Sequence, residues 1–261
     1  MNLHTVATVL IPAKNAAPFI HESLVSVLSQ ECTSSFNVIV INDHSTDSTT
    51  EIVKSLMMQY ANLNLLDSVD NGISNALNFG IISSDSEFIV RHDADDIMMP
   101  GRLEEQINFL TRNEDYALFG GQISFVTKRE SLSPNNYPRS DKEIRRFMLI
   151  GSPFAHPAVA IRRKSLLEAG LYDPNFEGAE DYELWTRLIY VGKGANSPNI
   201  LTRYRVHESQ VTFASSAKVQ RTTIKVQMKL AVRNLKHKNY LAALVTLFVV
   251  VIRVIRARFR K

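Results

Sequence analysis

Phe88-Ile89-Val90-Arg91 runs directly into His92-Asp93-Ala94-Asp95-Asp96, and this junction decides the fold. The apolar run, with Ser86-Glu87 before it, reads as a buried strand. Ile97-Met98-Met99-Pro100-Gly101 follows, and Pro100 suits the first turn of a new helix. Three carboxylates therefore sit where a strand ends and the chain turns. In open α/β sheets, ligands bind in the crevice beyond the carboxyl ends of the strands. Carboxylates packed this closely repel one another and ionise at low cost only with a cation or hydrogen-bond donors among them. A hard cation, Mn²⁺ or Mg²⁺, held by one or two carboxylates and the phosphates of a substrate, meets that need. A solvated acidic turn is the competing reading, and the turn alone does not separate the two.

The flanking sequence repeats the same unit. Val6-Ala7-Thr8-Val9-Leu10-Ile11 is a first strand, stopped by Pro12, and Ile20, Leu24, Val27 and Leu28 then recur at helical spacing. Asn37 to Ile41 is a second strand. Ser48 and Glu51 form a capping-box pattern ahead of a helix bearing Ile52, Val53, Leu56 and Tyr60. Leu63 to Leu66 is a third strand, and Asn71-Gly72 opens a helix with Ile73, Leu77 and Ile81. Strand and helix alternate up to Asp93, which is the pattern of a parallel, doubly wound sheet. Beyond it the pattern predicts a helix over about 101–113, a strand over Tyr116 to Val126 broken at Gly120-Gly121, and a surface loop over 127–140. It also predicts a strand over Pro157 to Ile161, a helix opening at Glu180-Asp181, and a last strand from Ile200 to Val206.

Charge divides the chain. Residues 209–261 hold twelve Lys and Arg and no acidic residue, whereas the remainder holds 18 basic and 26 acidic residues. An acidic body with a basic tail implies two tasks. The single cysteine, Cys32, excludes an internal disulfide and a multi-cysteine zinc site and fits a reducing compartment. The N-terminus shows no signal-peptide pattern. No Gly-x-Gly-x-x-Gly follows the first strand and no Gly-Lys-Ser or Gly-Lys-Thr occurs, which argues against a dinucleotide dehydrogenase and a P-loop nucleotidase.

Asp43 ends the second strand as Asp93 ends the fourth, so both face one crevice. An Asp so placed commonly reads a nucleoside. Asp47 is better placed to cap the following helix. Glu180-Asp181 is either ordinary acidic placement at a helix N-terminus or the source of a general base. His207, at a strand end, is placed to reach a phosphate or a metal.

Taken together, Ile11-Pro12-Ala13-Lys14-Asn15, Asn42-Asp43-His44-Ser45-Thr46-Asp47, Asn71-Gly72 through Gly80, Arg91 through Asp96 with Pro100-Gly101-Arg102-Leu103-Glu104-Glu105-Gln106, Glu180-Asp181-Tyr182-Glu183-Leu184-Trp185 and Tyr204-Arg205-Val206-His207 resemble glycosyltransferase family 2. The resemblance covers residues 5 to about 210 and keeps the order of the motifs. It implies a GT-A fold: a Rossmann-like, mixed but mainly parallel sheet with helices on both faces. The nucleotide-binding half would span about 1–100 and the acceptor half about 101–210. It also implies inverting transfer from a nucleoside-diphosphate sugar. By position, Asp43 would bind the base, with Pro12, Asn15 and Asn71 lining the pocket and Arg91 beside it. Asp93 would approach the ribose or donor sugar, and Asp95 would ligate Mn²⁺ or Mg²⁺. Asp181 would be the catalytic base with Glu180 at the substrate, and His207 would touch the diphosphate or the metal. His44 stands where the family often has Gly or another small residue. His156-Pro157 also fits the family without an assigned role. Donor and acceptor choice would fall to loops 127–140 and 150–157.

The tail, 211–261, has basic residues at 218, 221, 225, 229, 233 and 236 beside an apolar stripe of Ile224, Met228, Ala231 and Leu235. Leu241 to Ile252 is almost wholly apolar but shorter than the ~20 residues that span a bilayer. Amphipathic helices lying on an anionic membrane surface are expected, with a helix packed on the body as the competing reading. This would place the enzyme in the cytoplasm, peripheral on the inner face of the membrane, acting on a glycan or lipid-linked glycan. A sugar nucleotidyltransferase is the alternative of related fold, although the Gly- and Arg-rich phosphate loop it needs after the first strand is missing. A phosphohydrolase needs its Asp-x-Asp after the first strand. Nucleic-acid binding is not expected, because the tail's aromatics, Phe213, Tyr240, Phe248 and Phe259, are too scattered to stack bases.

Overall fold

β1 (Ala7–Ala13), α1 (Ile20–Leu28), β2 (Phe36–Asn42), α2 (Thr49–Met57), β3 (Leu63–Asp67), α3 (Ile73–Ser83) and β4 (Phe88–Arg91) alternate through the first half of the chain. They are seen in a computed structural model that describes residues 5–126, 135–206 and 216–259. β2 pairs in parallel with β1 and β3, and β1 with β4. Alternate residues of β1 serve two cores. Val9 and Ile11 pack with Leu24, Val27, Val53 and Leu103 on one face, and Leu10 packs with Leu77, Ile81 and Leu184 on the other. This two-sided burial explains why the strands are continuous apolar runs.

Pro12 does not stop β1, because the strand continues to Ala13 opposite Asn42. The Ala13 carbonyl accepts from Asp43 N on the β2 side at 2.8 Å, so the Pro12 nitrogen faces the β4 side. There the last β1–β4 pair is Leu10 with Arg91, and the missing N–H costs no ladder bond.

The second half contains β5 (Ile97–Met98), α4 (Arg102–Arg112), β6 (Tyr116–Val126), α5 (Asp141–Phe147), β7 (Ala160–Arg162), α6 (Arg163–Ala169), α7 (Glu180–Leu188) and β8 (Lys193–Arg205). The strand order is β3-β2-β1-β4-β7-β6-β8-β5. β7 lies antiparallel between β4 and β6, and β5 antiparallel to β8, so the sheet is mixed with helices on both faces.

Local details differ from the sequence reading. Pro100 precedes α4 rather than opening it, because Gly101, at φ 77, takes the N-cap position. Ser48 and Glu51 form no capping box. The Asp47 carboxylate, as anticipated for that residue, accepts from Thr49 N at 3.0 Å. A capping box forms instead at Ser140 and Glu143, opening α5, a helix the apolar pattern did not reveal. The chain at His156–Ala158 makes a 3₁₀ turn, and β7 begins only at Ala160. The reason lies in α4: Arg102 donates to the Pro157 carbonyl at 2.8 Å and Gln106 to the Ala158 carbonyl at 3.0 Å, drawing both out of strand pairing. β8 starts at Lys193, earlier than Ile200; the polar Asn196, Ser197 and Asn199 hide the strand's pattern, and distant groups receive them, Asn196 Nδ2 donating to the Pro138 carbonyl at 2.7 Å and Asn199 Nδ2 to Glu105 Oε2 at 3.1 Å.

α8 (Ser216–Lys236) and α9 (Tyr240–Phe259) form a helical hairpin. The buried face of α8 is Thr222, Val226, Leu230, Ala231 and Asn234, whereas Met228 and Leu235 of the expected apolar stripe are exposed. Two ion pairs and a hydrogen bond set that rotation. Lys229 meets the buried Glu183 at 2.7 Å, Arg233 donates to the Thr186 carbonyl at 2.6 Å, and Lys218 meets Glu177 at 2.5 Å. α8 is therefore packed on the body. Among the described residues no helix is long and apolar enough to cross a membrane.

Candidate functional site

The site lies beyond the carboxyl ends of β1, β2 and β4. Asn15 and His44, in the loops after β1 and β2, have φ of 50° and 57°. Both lie in the left-handed region, which Asn and His enter more readily than most residues. Asn15 Oδ1 accepts from Thr46 N at 2.8 Å and so ties the two loops together. Asp43 is buried, and its carboxylate accepts from Gly72 N at 3.2 Å and meets Lys14 Nζ at 3.4 Å. Gly72, at φ 103, is the N-cap of α3, and Asn71 stands beside it. Pro12, Asn15, Asp43 and Asn71 thus gather at the rim of one edge of the crevice.

The acidic turn is the centre. One carboxylate oxygen from each of Asp93, Asp95 and Asp96 lies within 4.8 Å of the others. Arg91 Nη2 pairs with Asp93 Oδ1 at 2.6 Å. Asp96 is fully buried, its Oδ1 accepts from Arg205 N at 2.9 Å, and its Oδ2 has no partner among the described residues. Burial and the charges of Asp93 and Asp95 push the Asp96 carboxyl well up. A buried, orphaned carboxylate oxygen beside two more acids fits a hard divalent cation.

Arg91 joins this turn to the second half of the site. It is buried, and its Nε and Nη1 have no partner among the described residues. Its charge bears on Asp93, Asp96, Glu180 and Asp181, so these four acids share one electrostatic neighbourhood. Glu180 and Asp181 open α7. Burial, then the neighbouring Asp181, pushes Glu180 up to about 7. Burial also raises Asp181, whose Oδ2 accepts from Ser152 Oγ at 3.4 Å. His156 Nε2 contacts Tyr172 Oη at 2.9 Å, and burial with the charge of Arg91 keeps this imidazole neutral.

His207 lies outside the described residues, as does the 127–134 part of the expected surface loop. The bond from Arg205 to Asp96 brings the chain to within two residues of His207 at the acidic turn. The sequence reading missed Arg102. Fully buried, it donates to the Arg91 carbonyl at 2.7 Å and to Thr202 Oγ1 at 2.8 Å, bracing the end of β4 against β8. Burial lowers its guanidinium to about 9. Its place in Pro100-Gly101-Arg102 was the one available signal.

Residues 8–171 match the model of glycosyl transferase family 2, and the chain belongs to that family. A glycosyltransferase of Haemophilus influenzae described as uncharacterized is 32% identical over 172 residues, covering 64% of this chain and 63% of its own length. The amylovoran biosynthesis glycosyltransferase AmsE of Erwinia amylovora is 27% identical over 195 residues, with 73% of this chain and 72% of AmsE covered. Among solved structures, Staphylococcus aureus TarS 1-349 in complex with UDP-GlcNAc superimposes with a TM-score of 0.70 at 18% identity, over 88% of this chain and 66% of that one. The mannosyltransferase PcManGT of Pyrobaculum calidifontis, in complex with GDP-Man and Mn²⁺, gives 0.68 at 19% identity, over 98% of this chain and 75% of that one. These likenesses establish the GT-A fold.

Proposed function

We propose that this family 2 glycosyltransferase moves a sugar, with inversion, from a nucleoside-diphosphate sugar to a hydroxyl of a lipid-linked glycan during cell-surface polysaccharide synthesis. The observation that carries the reading is the acidic turn: three carboxylates within 4.8 Å and an orphaned buried oxygen, with Asp181 across Arg91. The role of AmsE in amylovoran biosynthesis favours a polysaccharide product. Uridine is the favoured base, since uracil offers a single N–H to the single carboxylate of Asp43.

Asp95, with Asp93 and Asp96, would hold Mn²⁺ or Mg²⁺, and His207 would complete the set. When bound, the ion supplies Lewis-acid stabilisation to the departing diphosphate. The protein's own groups do the rest. Pro12, Asn15 and Asn71 line the nucleoside pocket around Asp43. Asp93 and Glu180 orient the sugar. Asp181 takes the proton of the acceptor hydroxyl, a step typically worth ~10²–10⁴-fold. Burial raises its affinity for protons, which strengthens it as a base.

The tail would seat the enzyme on an anionic membrane, on the cytoplasmic face where nucleotide sugars are made. The support is its twelve basic residues without an acidic one, together with the exposed side chains Leu241, Leu244 and Phe248 of α9. The deciding experiment incubates the full chain with UDP- and GDP-sugars and Mn²⁺ and measures released nucleoside diphosphate. Release from none of them would overturn the reading.

A further inference from the structure

One surface feature lies outside the donor site. A groove of about 700 Å³ runs along the chain between Tyr137 and Ile150, with Arg139, Arg146 and Phe147 on its wall. Its two ends touch different machinery. At one end the Ile150 carbonyl accepts from Arg253 Nη2 of α9 at 2.8 Å and from Gln227 Nε2 of α8 at 3.4 Å. Just past that end, Ser152 donates to the Asp181 carboxylate at 3.4 Å, and at the other end the charge of Asp181 bears on the Tyr137 hydroxyl. The groove therefore bridges the tail and the base.

Its chemistry is cationic and apolar at once. Arg139 and Arg146 are exposed. The one acid on the wall, Glu143, is engaged in the capping box, accepting from Arg139 N at 3.1 Å and Ser140 N at 3.0 Å. Phe147 is 37% and Ile150 45% exposed, although both are large and apolar. Above them α9 turns Leu241, Leu244, Phe248, Val251 and Ile255 outward, at 48–74% exposure, while Ala242, Ala243, Thr246 and Val250 are buried. That outer stripe would suit lipid better than a second copy, because two tails of twelve basic and no acidic residues repel. A hairpin lying on the bilayer by this stripe would set the groove mouth at the headgroups.

We infer that this groove is the acceptor site, and that Arg139 and Arg146 read the phosphate that joins a glycan acceptor to its lipid while Phe147 and Ile150 meet the first part of the lipid chain. Guanidinium groups suit this because they bind phosphate through two parallel bonds. The inference rests on the proposed glycosyl transfer and names the class of its acceptor.

The test uses the full chain with saturating UDP and Mn²⁺, so that the donor site is filled, and titrates farnesyl diphosphate, farnesol and inorganic pyrophosphate by calorimetry. The diphosphate lipid should bind, with farnesol and pyrophosphate each at least tenfold weaker. Arg139→Ala/Arg146→Ala should weaken farnesyl diphosphate at least tenfold and leave UDP binding and donor hydrolysis unchanged. Equal binding to both proteins, or none to the wild type, overturns the inference. A second arm floats both proteins on phosphatidylglycerol vesicles. Flotation lost in the arginine variant would mean that these side chains serve bulk headgroups, which also overturns it. Loss of flotation in Leu244→Glu/Phe248→Glu alone is the expected result. Absence of UDP binding in the wild type would instead count against the donor reading.

Discussion

Arg205 donates its backbone N–H to Asp96 Oδ1 at 2.9 Å, across 109 residues of sequence. This bond locks the end of β8 onto the acidic turn that follows β4. It uses one oxygen of Asp96 for structure and leaves the other beside Asp93 and Asp95. The turn is therefore held in shape by the protein's own hydrogen bonds.

Asp95→Ala should abolish transfer with little change in thermal stability, because the bracing runs through Asp96 and Arg102. A chelator should also stop nucleoside diphosphate release, and Mn²⁺ or Mg²⁺ should restore it. Full turnover in excess chelator would refute the metal assignment.

Asp181→Asn keeps the shape and removes the proton acceptor. The kcat should fall ~10²-fold or more with donor binding little changed. Near-normal kcat would reduce Asp181 to a helix-terminal charge.

The carboxyls of Glu180 and Asp181 are both raised, so they carry protons in the folded state to higher pH than in the unfolded chain. The kcat/KM should climb with pH up to about 7, the value for Glu180, as the pair loses its protons. Stability of the metal-free protein should move the other way. It falls as pH rises from the ordinary carboxylate range through about 7, because ionising these groups costs more in the fold. Glu180→Gln should flatten that slope in melting curves recorded between pH 5 and pH 8. An unchanged slope would mean Glu180 is solvated.

Asp43→Asn should weaken UDP binding by ~1–3 kcal/mol in calorimetry, the cost of a buried polar group left badly paired. The amide retains an oxygen for Gly72 N, so α3 should stay in place. Unaltered affinity would remove Asp43 from the nucleoside pocket.

Lys229→Met strands Glu183, which is fully buried, although Arg187 still pairs with it at 2.6 Å. Lys229 is 40% exposed, so solvent screens its share and a loss of only about 1 kcal/mol is expected. Differential scanning calorimetry should show a fall in Tm of a few degrees. No change would mean that α8 is held by its apolar face alone.

Much of this protein is determined locally and was legible from sequence alone. The alternation through β4, the acidic turn, the Asp47 cap and the start of α7 each follow from a few adjacent residues. Short-range sterics, hydrogen bonding and periodicity act within one element, so they leave their mark on consecutive positions. Tertiary structure decided what depends on distant partners. Nothing near Pro157 announces that Arg102 and Gln106 will claim its carbonyl and that of Ala158, which turns an expected strand into a 3₁₀ turn. Nothing in the tail's periodicity tells that Glu183 will draw Lys229 inward and roll Met228 and Leu235 out to solvent. In both places a buried polar group had to find its partner. That requirement is settled by which residues the fold brings together, tens of positions apart, and not by the pattern around either one.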